Sequence, residues 1–315
     1  MKLAFLFPGQ GSQRVGMGAE LAREFAAARK VFDEADEALG FGLSSLCFEG
    51  PEDDLKLTVN TQPATLATSI AAMRALQSEF GVQAGIAAGH SLGEYTALVA
   101  AGALEFNAAL RAVRERGRLM QEACPPGQGS MAALIGLGLD AVREICEQVS
   151  RDGALAVPAN LNAPGQIVIA GHTGAVRRAI QIAKERGAGM SVELKVSAPF
   201  HCPLMQPARV GMEPIIAALD VKPLRFGVIA NVTAEVNLDP GRVKPLLLEQ
   251  ITAPVRWEES MACLASSGAT GAIEFGAGRV LAGLMRRINK NSKLRTVEDP
   301  ATLRAAGQEL AAQSA

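Results

Sequence analysis

Aromatic side chains are scarce in this 315-residue chain, at 4% of the total, with one Trp and one Tyr. Proteins that hold single-stranded nucleic acid stack its bases on such rings, and those that hold duplexes carry a strong positive balance. The formal net charge here is −1, so composition supports neither, and no nucleic-acid partner is expected. Cysteine is sparse too. Cys47, Cys124, Cys146, Cys202 and Cys263 are scattered, odd in number and without a Cys-x-x-Cys pair, which reads as reduced thiols in a cytoplasmic protein. No apolar run approaches the ~20 residues of a membrane span, and the apolar core of Met1 to Phe7 is too short for a signal peptide. No membrane partner is expected. No ligand cluster suggests a metal, and no redox cofactor is expected. What remains is an ordinary globular composition, 49% hydrophobic and 20% charged, enough for a large domain and a smaller one.

The chain turns on Ile86 to Tyr95, which holds its one Gly-x-Ser-x-Gly, Gly89-His90-Ser91-Leu92-Gly93. A short apolar run, Val82 to Ala88, precedes it. A helical pattern follows, with Tyr95, Leu98, Val99 and Gly102 at steps of three and four. Strand, sharp turn and helix are the context of a nucleophile elbow. Gly89 and Gly93 leave room where backbone passes close, and Ser91 projects its hydroxyl at a helix N-terminus, which favours an oxyanion.

Before the elbow, Leu3 to Phe7 reads as a buried strand, Pro8 to Gln13 as a loop, and Gly18 to Leu39 as a helix. Arg14 stands where a dinucleotide fingerprint needs its third Gly, and no Gly-Lys-Ser/Thr follows, so the loop is not a phosphate cradle. It is either a plain connection or the donor of a backbone N–H to a neighbouring site. Asp53 to Gln62 reads as irregular, and Gln62 to Phe80 as a strong helix. After the elbow a helix is expected over 107–122. Arg114 and Arg116 flank its apolar stripe, and periodicity does not choose which of them leans into a cleft.

From Gly127 the texture changes. Strand (Ser130–Leu137), helix (Leu139–Arg151), two strands (Ala154–Leu161, Gln166–Ala170), helix (Gly174–Arg186) and strand (Met190–Val196) follow in the order βαββαβ. That is a ferredoxin-like unit inserted in the larger fold. The expected division is a large α/β catalytic domain over 1–126 and 198–315 and a small domain over 127–197, with hinges at Pro125-Pro126-Gly127 and Ser197-Ala198-Pro199. The large part is expected to be α/β-hydrolase-like, with a parallel sheet core. Its second half reads as a helix over Pro203–Leu219, strands at Phe226–Val232 and Gly271–Phe275, helices at Lys244–Ile251, Glu259–Ser266 and Arg279–Ile288, and a C-terminal helix from Ala301.

A serine nucleophile needs a base, and the chain has three histidines. His90 adjoins Ser91, and neighbouring side chains diverge. His172 lies inside the small unit. His201, where the chain returns to the main fold, is the best base by elimination. In α/β-hydrolases the histidine follows the last strand, whereas here a long histidine-free stretch follows it. No acidic third member announces itself. A backbone carbonyl suits as the group that fixes the imidazole tautomer, giving a Ser–His dyad.

Several motifs in fixed order then resemble malonyl-CoA:acyl-carrier-protein transacylases, nearly end to end. They are Phe7-Pro8-Gly9-Gln10-Gly11-Ser12-Gln13, Gly89-His90-Ser91-Leu92-Gly93-Glu94, Arg116-Gly117-x-x-Met120-Gln121-Glu122-Ala123, Asn160-x-Asn162-x-Pro164-Gly165-Gln166, Ser197-Ala198-Pro199-Phe200-His201 and Pro254-Val255-Arg256-Trp257. The resemblance implies that Ser91 is the nucleophile and His201 its base. It implies an oxyanion hole from the backbone N–H groups of Gln10 and Leu92, and Arg116 as the partner of the malonate carboxylate. The carbonyl of Gln250 would orient His201. His90, Asn160 and Asn162 would line or shape the cleft, and Phe200 beside the base would favour malonyl over methylmalonyl groups. The implied partners are malonyl-CoA and acyl carrier protein, for a protein acting as a monomer. A discrete polyketide acyltransferase would share this chemistry. A serine esterase or thioesterase, or a non-catalytic module, fits the motifs less well.

Overall fold

The computed structural model describes residues 2–151, 153–194, 196 and 198–314. The expected boundaries at Met1, Ser197 and Ala315, and Lys195 within an expected strand, fall outside the described residues.

The strands are β1 (Leu3–Phe7), β2 (Ile86–Gly89), β3 (Gly129–Ile135), β4 (Ala156–Ala163), β5 (Gln166–His172), β6 (Met190–Glu193), β7 (Gly227–Ile229), β8 (Val236–Asn237), β9 (Gly271–Phe275) and β10 (Leu294–Val297). They form a six-stranded sheet in the order β10-β9-β1-β2-β7-β8 and a four-stranded sheet in the order β4-β5-β3-β6. In the first, all neighbours are parallel except the short edge strand β8. In the second, all are antiparallel.

The burial of β1 explains its place. Every one of its side chains is buried, and alternate residues serve opposite faces: Leu3, Phe5 and Phe7 join one core cluster, Ala4 and Leu6 another. A strand apolar on both faces belongs inside a sheet covered by helices on both sides. The helix Thr58–Phe80 covers one face and is buried nearly all round. The helices Trp257–Ser266 and Val280–Ile288 cover the other, around the lone Trp257.

The small sheet divides its residues the same way. Ala132, Leu134, Ile167 and Ile169 pack under the helices Leu139–Val149 and Thr173–Glu185. Met131, Val168 and Ala170, on the other face, join the main core. The edge strand β4 is tied to the main fold by Leu161 N–H to Val255 O and Val255 N–H to Ala159 O, both 2.9 Å.

Several boundaries differ from those expected. The helix foreseen over Gly18–Leu39 is two, Ala19–Glu24 and Ala26–Leu39, because Phe25 is extended. The stretch expected to be irregular before Gln62 holds a short helix, Glu52–Lys56, and the start of Thr58–Phe80. Its buried Thr61 hydroxyl is satisfied by Leu55 O at 2.6 Å, so a polar beginning does not prevent burial. The helix expected at Lys244 begins at Pro240, capped by Asp239, whose Oδ1 accepts the Gly241 N–H at 2.8 Å. Strands β8 and β10 were not foreseen. Strand β6 stops at Glu193, short of Val196. The chain from Pro203 begins as a 3-10 turn (Pro203–Met205) before the helix Gln206–Ala217.

Candidate active site

The loops after β1, β2 and β7 meet at the carboxyl edge of the main sheet, where parallel α/β sheets place ligands. Ser91 joins β2 to the helix Leu92–Ala100 with φ 53° and ψ −111°. Holding a non-glycine residue there costs on the order of 1–3 kcal/mol, so its surroundings must impose it. A Cβ on Gly89 would stand 1.8 Å from Gly93 O, and one on Gly93 would stand 2.2 Å from Phe7 O. Close backbone approach demands both glycines. Asn231, just past β7, pins the turn from the side. Its Oδ1 accepts the Ser91 N–H at 2.7 Å, and its Nδ2 donates to Gly89 O at 2.7 Å.

Ser91 Oγ lies 2.7 Å from His201 Nε2, and His201 Nδ1 lies 2.9 Å from Gln250 O. A carbonyl only accepts, so Nδ1 carries the proton and Nε2 turns its lone pair to the serine. His201 is buried, with φ 58°. Burial first, and then the Arg116 guanidinium, push it down to about 3. The ring is therefore neutral, the state in which it can take a proton.

Arg116 comes from the helix Phe106–Glu122, which approaches the helix Thr58–Phe80 at Gly117. A Cβ there would be 2.5 Å from Thr58 O. That approach lets Arg116 donate from Nη1 to Gln62 Oε1 at 2.8 Å. Its Nη2 donates to Gln250 Oε1 at 2.8 Å and to Ser91 Oγ at 3.1 Å. The side chain is 1% exposed, these three partners are uncharged, and Nε has no acceptor among the described residues. Burial of a cation with only neutral hydrogen-bond partners is costly; the nearby Glu94 charge eases that cost without a hydrogen bond to it. Arg114, the alternative that periodicity left open, instead lies over the Phe41 ring at 4.7 Å.

These groups open on a cavity of 190 Å³, to which Gln10, Leu92, Asn160 and Phe200 also contribute. Among the described residues, the N–H groups of Gln10 and Leu92 have no hydrogen-bond acceptor. Asn160 Oδ1 is buried and unpartnered. Asn162 departs from expectation: it does not line the cavity. Its Oδ1 stands 2.9 Å from His90 Nε2, so it braces His90, which lines the cavity and lies against Trp257. His172 is elsewhere, with Nδ1 accepting the Leu155 N–H at 2.9 Å.

Sequence reasoning missed Asn231, Gln62 and the Gln250 side chain. Asn231 had a signal, a lone amide closing an apolar strand. Gln62 and Gln250 had none beyond being polar at the ends of helices, because their role depends on where Arg116 arrives.

Residues 4–302 match the acyl transferase domain family. The chain belongs to the acyl transferase family. It is 48% identical to the malonyl CoA-acyl carrier protein transacylase of Bacillus subtilis (strain 168), over 98% of this chain and 97% of that one. Among solved structures of this fold, the acyl-carrier-protein S-malonyltransferase of Burkholderia pseudomallei 1710b superposes with a TM-score of 0.95 at 47% identity, covering 98% of this chain and 100% of that chain. A malonyl-transacylase solved in complex with a type II polyketide acyl-carrier protein gives a TM-score of 0.95 at 40% identity, again over 98% and 100%.

Proposed function

We propose that this acyl transferase moves the malonyl group from malonyl-CoA to the phosphopantetheine thiol of acyl carrier protein, through an ester on Ser91. The observation that carries the reading is the contact of Ser91 Oγ with both His201 Nε2 at 2.7 Å and Arg116 Nη2 at 3.1 Å. A nucleophile, its base and a buried cation with only neutral hydrogen-bond partners converge on one oxygen. That set suits an acyl group with a free carboxylate.

Ser91 attacks the thioester carbonyl as His201 takes its proton. The tetrahedral oxyanion is held by the N–H groups of Gln10 and Leu92. The C–S bond breaks and coenzyme A leaves with the proton from His201. The carrier thiol then attacks the Ser91 ester, giving its proton to His201, which returns it to Ser91 as the ester C–O bond breaks. This is ping-pong transfer, and neither half requires a metal or redox cofactor. The Gln250 carbonyl keeps His201 in the tautomer each half needs. Asn160, with its free Oδ1, suits an amide N–H of the pantetheine chain.

We also read the parallel sheet and its helices as an α/β-hydrolase-like catalytic domain, 1–126 and 198–315. The βαββαβ segment 127–197 is read as a ferredoxin-like insert that closes the cleft. A monomer in the cytoplasm, where both substrates are made, completes the proposal. We read the carrier as one of fatty-acid synthesis, and the malonyl-transacylase solved with a type II polyketide acyl-carrier protein keeps a polyketide carrier as the alternative.

The test is incubation with labelled malonyl-CoA, with and without holo carrier of each kind. Stable label on the protein that passes to a carrier is expected. Rapid release of free malonate would make the protein a hydrolase and defeat the reading.

A further inference from the structure

Glu94 is a charged side chain buried behind the dyad, 3% exposed, on the first turn of the helix Leu92–Ala100. The reaction above gives it no step. Its Oε2 accepts from Gln250 Nε2 at 2.7 Å and from the Asn231 N–H at 3.1 Å. Those two residues hold every reacting group. Asn231 Oδ1 holds the Ser91 N–H, the Gln250 carbonyl holds His201, and Gln250 Oε1 holds Arg116.

The direction of the Gln250 amide is the sensitive point. Its Nε2 points at Glu94 and at Ser91 O, 3.0 Å away, so Oε1 must face Arg116. Turned over, the amide would set an NH2 against a guanidinium, donor against donor. Ser91 O and Glu94 Oε2 both accept from Nε2, so a turned amide would lose both of those bonds as well.

We propose that Glu94 is a positioning residue that fixes the Gln250 amide, and through it places the Arg116 guanidinium beside Ser91 for a carboxylate-bearing acyl group. This rests on the malonyl-transfer reading given above. The acid is kept in place at a cost: burial pushes Glu94 up to about 7, against the pull of its hydrogen bonds and of Arg116. A residue there only to fill space would be apolar.

Glu94→Ala and Glu94→Gln test it beside the unaltered enzyme, through the ratio of kcat/KM for malonyl-CoA to that for acetyl-CoA. The ratio does not depend on how much of a preparation is folded. Glu94→Ala should lower it at least about 10-fold, the loss expected when a hydrogen bond to a charged group is misplaced. Glu94→Gln, whose Oε1 can take the same two N–H groups, should restore it to within about 3-fold of the unaltered enzyme. An unchanged ratio in Glu94→Ala, or no rescue by Glu94→Gln, overturns the assignment while malonyl transfer by the unaltered enzyme stands. If the unaltered enzyme takes no malonyl group, the reaction and the assignment fail together.

Discussion

The two ends of the main sheet carry cavities of opposite character. At the amino end of β9 and β10 lies the larger, 530 Å³, walled by Met261, Leu264, Met285 and Ile288, with Lys293 as its one titratable lining residue. At the carboxyl end lies the smaller, 190 Å³, where Ser91, His201 and Arg116 meet. Volume and chemistry are thus separated. At the carboxyl end, strands hand over to loops and helix N-termini, so N–H groups come free and polar side chains converge. The same end holds the positive-φ residues Ser91 and His201 and the buried, perturbed His201 and Glu94. Strain and desolvation mark the working end better than size does.

Substitutions at the two ends should therefore differ in kind. The largest expected effect is that of Arg116→Ala. Leaving the malonate carboxylate buried without its partner costs about 2–5 kcal/mol, roughly 30-fold to several thousand-fold in kcat/KM for malonyl-CoA. Acetyl-CoA has no charge to lose and should suffer little. Equal losses on both thioesters would make Arg116 structural.

Phe200→Ser comes next. The ring lines the carboxyl-end cavity beside His201, where an α-methyl group would need space. Its loss should narrow the preference for malonyl-CoA over methylmalonyl-CoA by about 10-fold or less. Competition between the two, read as acyl-enzyme masses, checks this. A fall in both rates with a constant ratio would leave Phe200 only a packing role.

The pH profile should be nearly flat. A histidine held down to about 3 stays neutral as pH falls, so the base is not lost until pH nears that value. Acylation kcat/KM should change by less than about 3-fold from pH 8 to pH 5, whereas a histidine of ordinary pKa would lose about 30-fold. An acid limb centred near 6.5, present also in Glu94→Gln, would contradict the burial argument for His201. The smallest effect belongs to the amino-end cavity: Lys293→Ala should leave both thioester rates within about 2-fold. A change in the malonyl-to-acetyl ratio there would break the contrast between the two ends.

The elbow was legible in the sequence because its geometry is local. Gly89, Ser91 and Gly93 are fixed by a turn that five residues spell out. His201 was legible only because so few histidines compete. Arg116 and Arg114 look alike in helical periodicity. Three-dimensional arrival parts them, at Gly117 against Thr58 for one and at Phe41 for the other. Asn162 shows the converse failure: two asparagines on one strand read as a pair facing the cleft, yet one lines it and the other braces His90. The short strands β8 and β10 escaped notice because a few residues at a sheet edge carry too little pattern. The early start of Pro240–Gln250 was written in Asp239-Pro240 and could have been read.

The most direct test of the central claim is to quench the enzyme with acid after exposure to malonyl-CoA and locate the added mass by peptide mapping. One malonyl group is expected on the peptide bearing Ser91, lost when holo carrier is added before the quench, and absent from Ser91→Ala. A malonyl adduct that persists in Ser91→Ala, on Cys202 for example, would contradict the account.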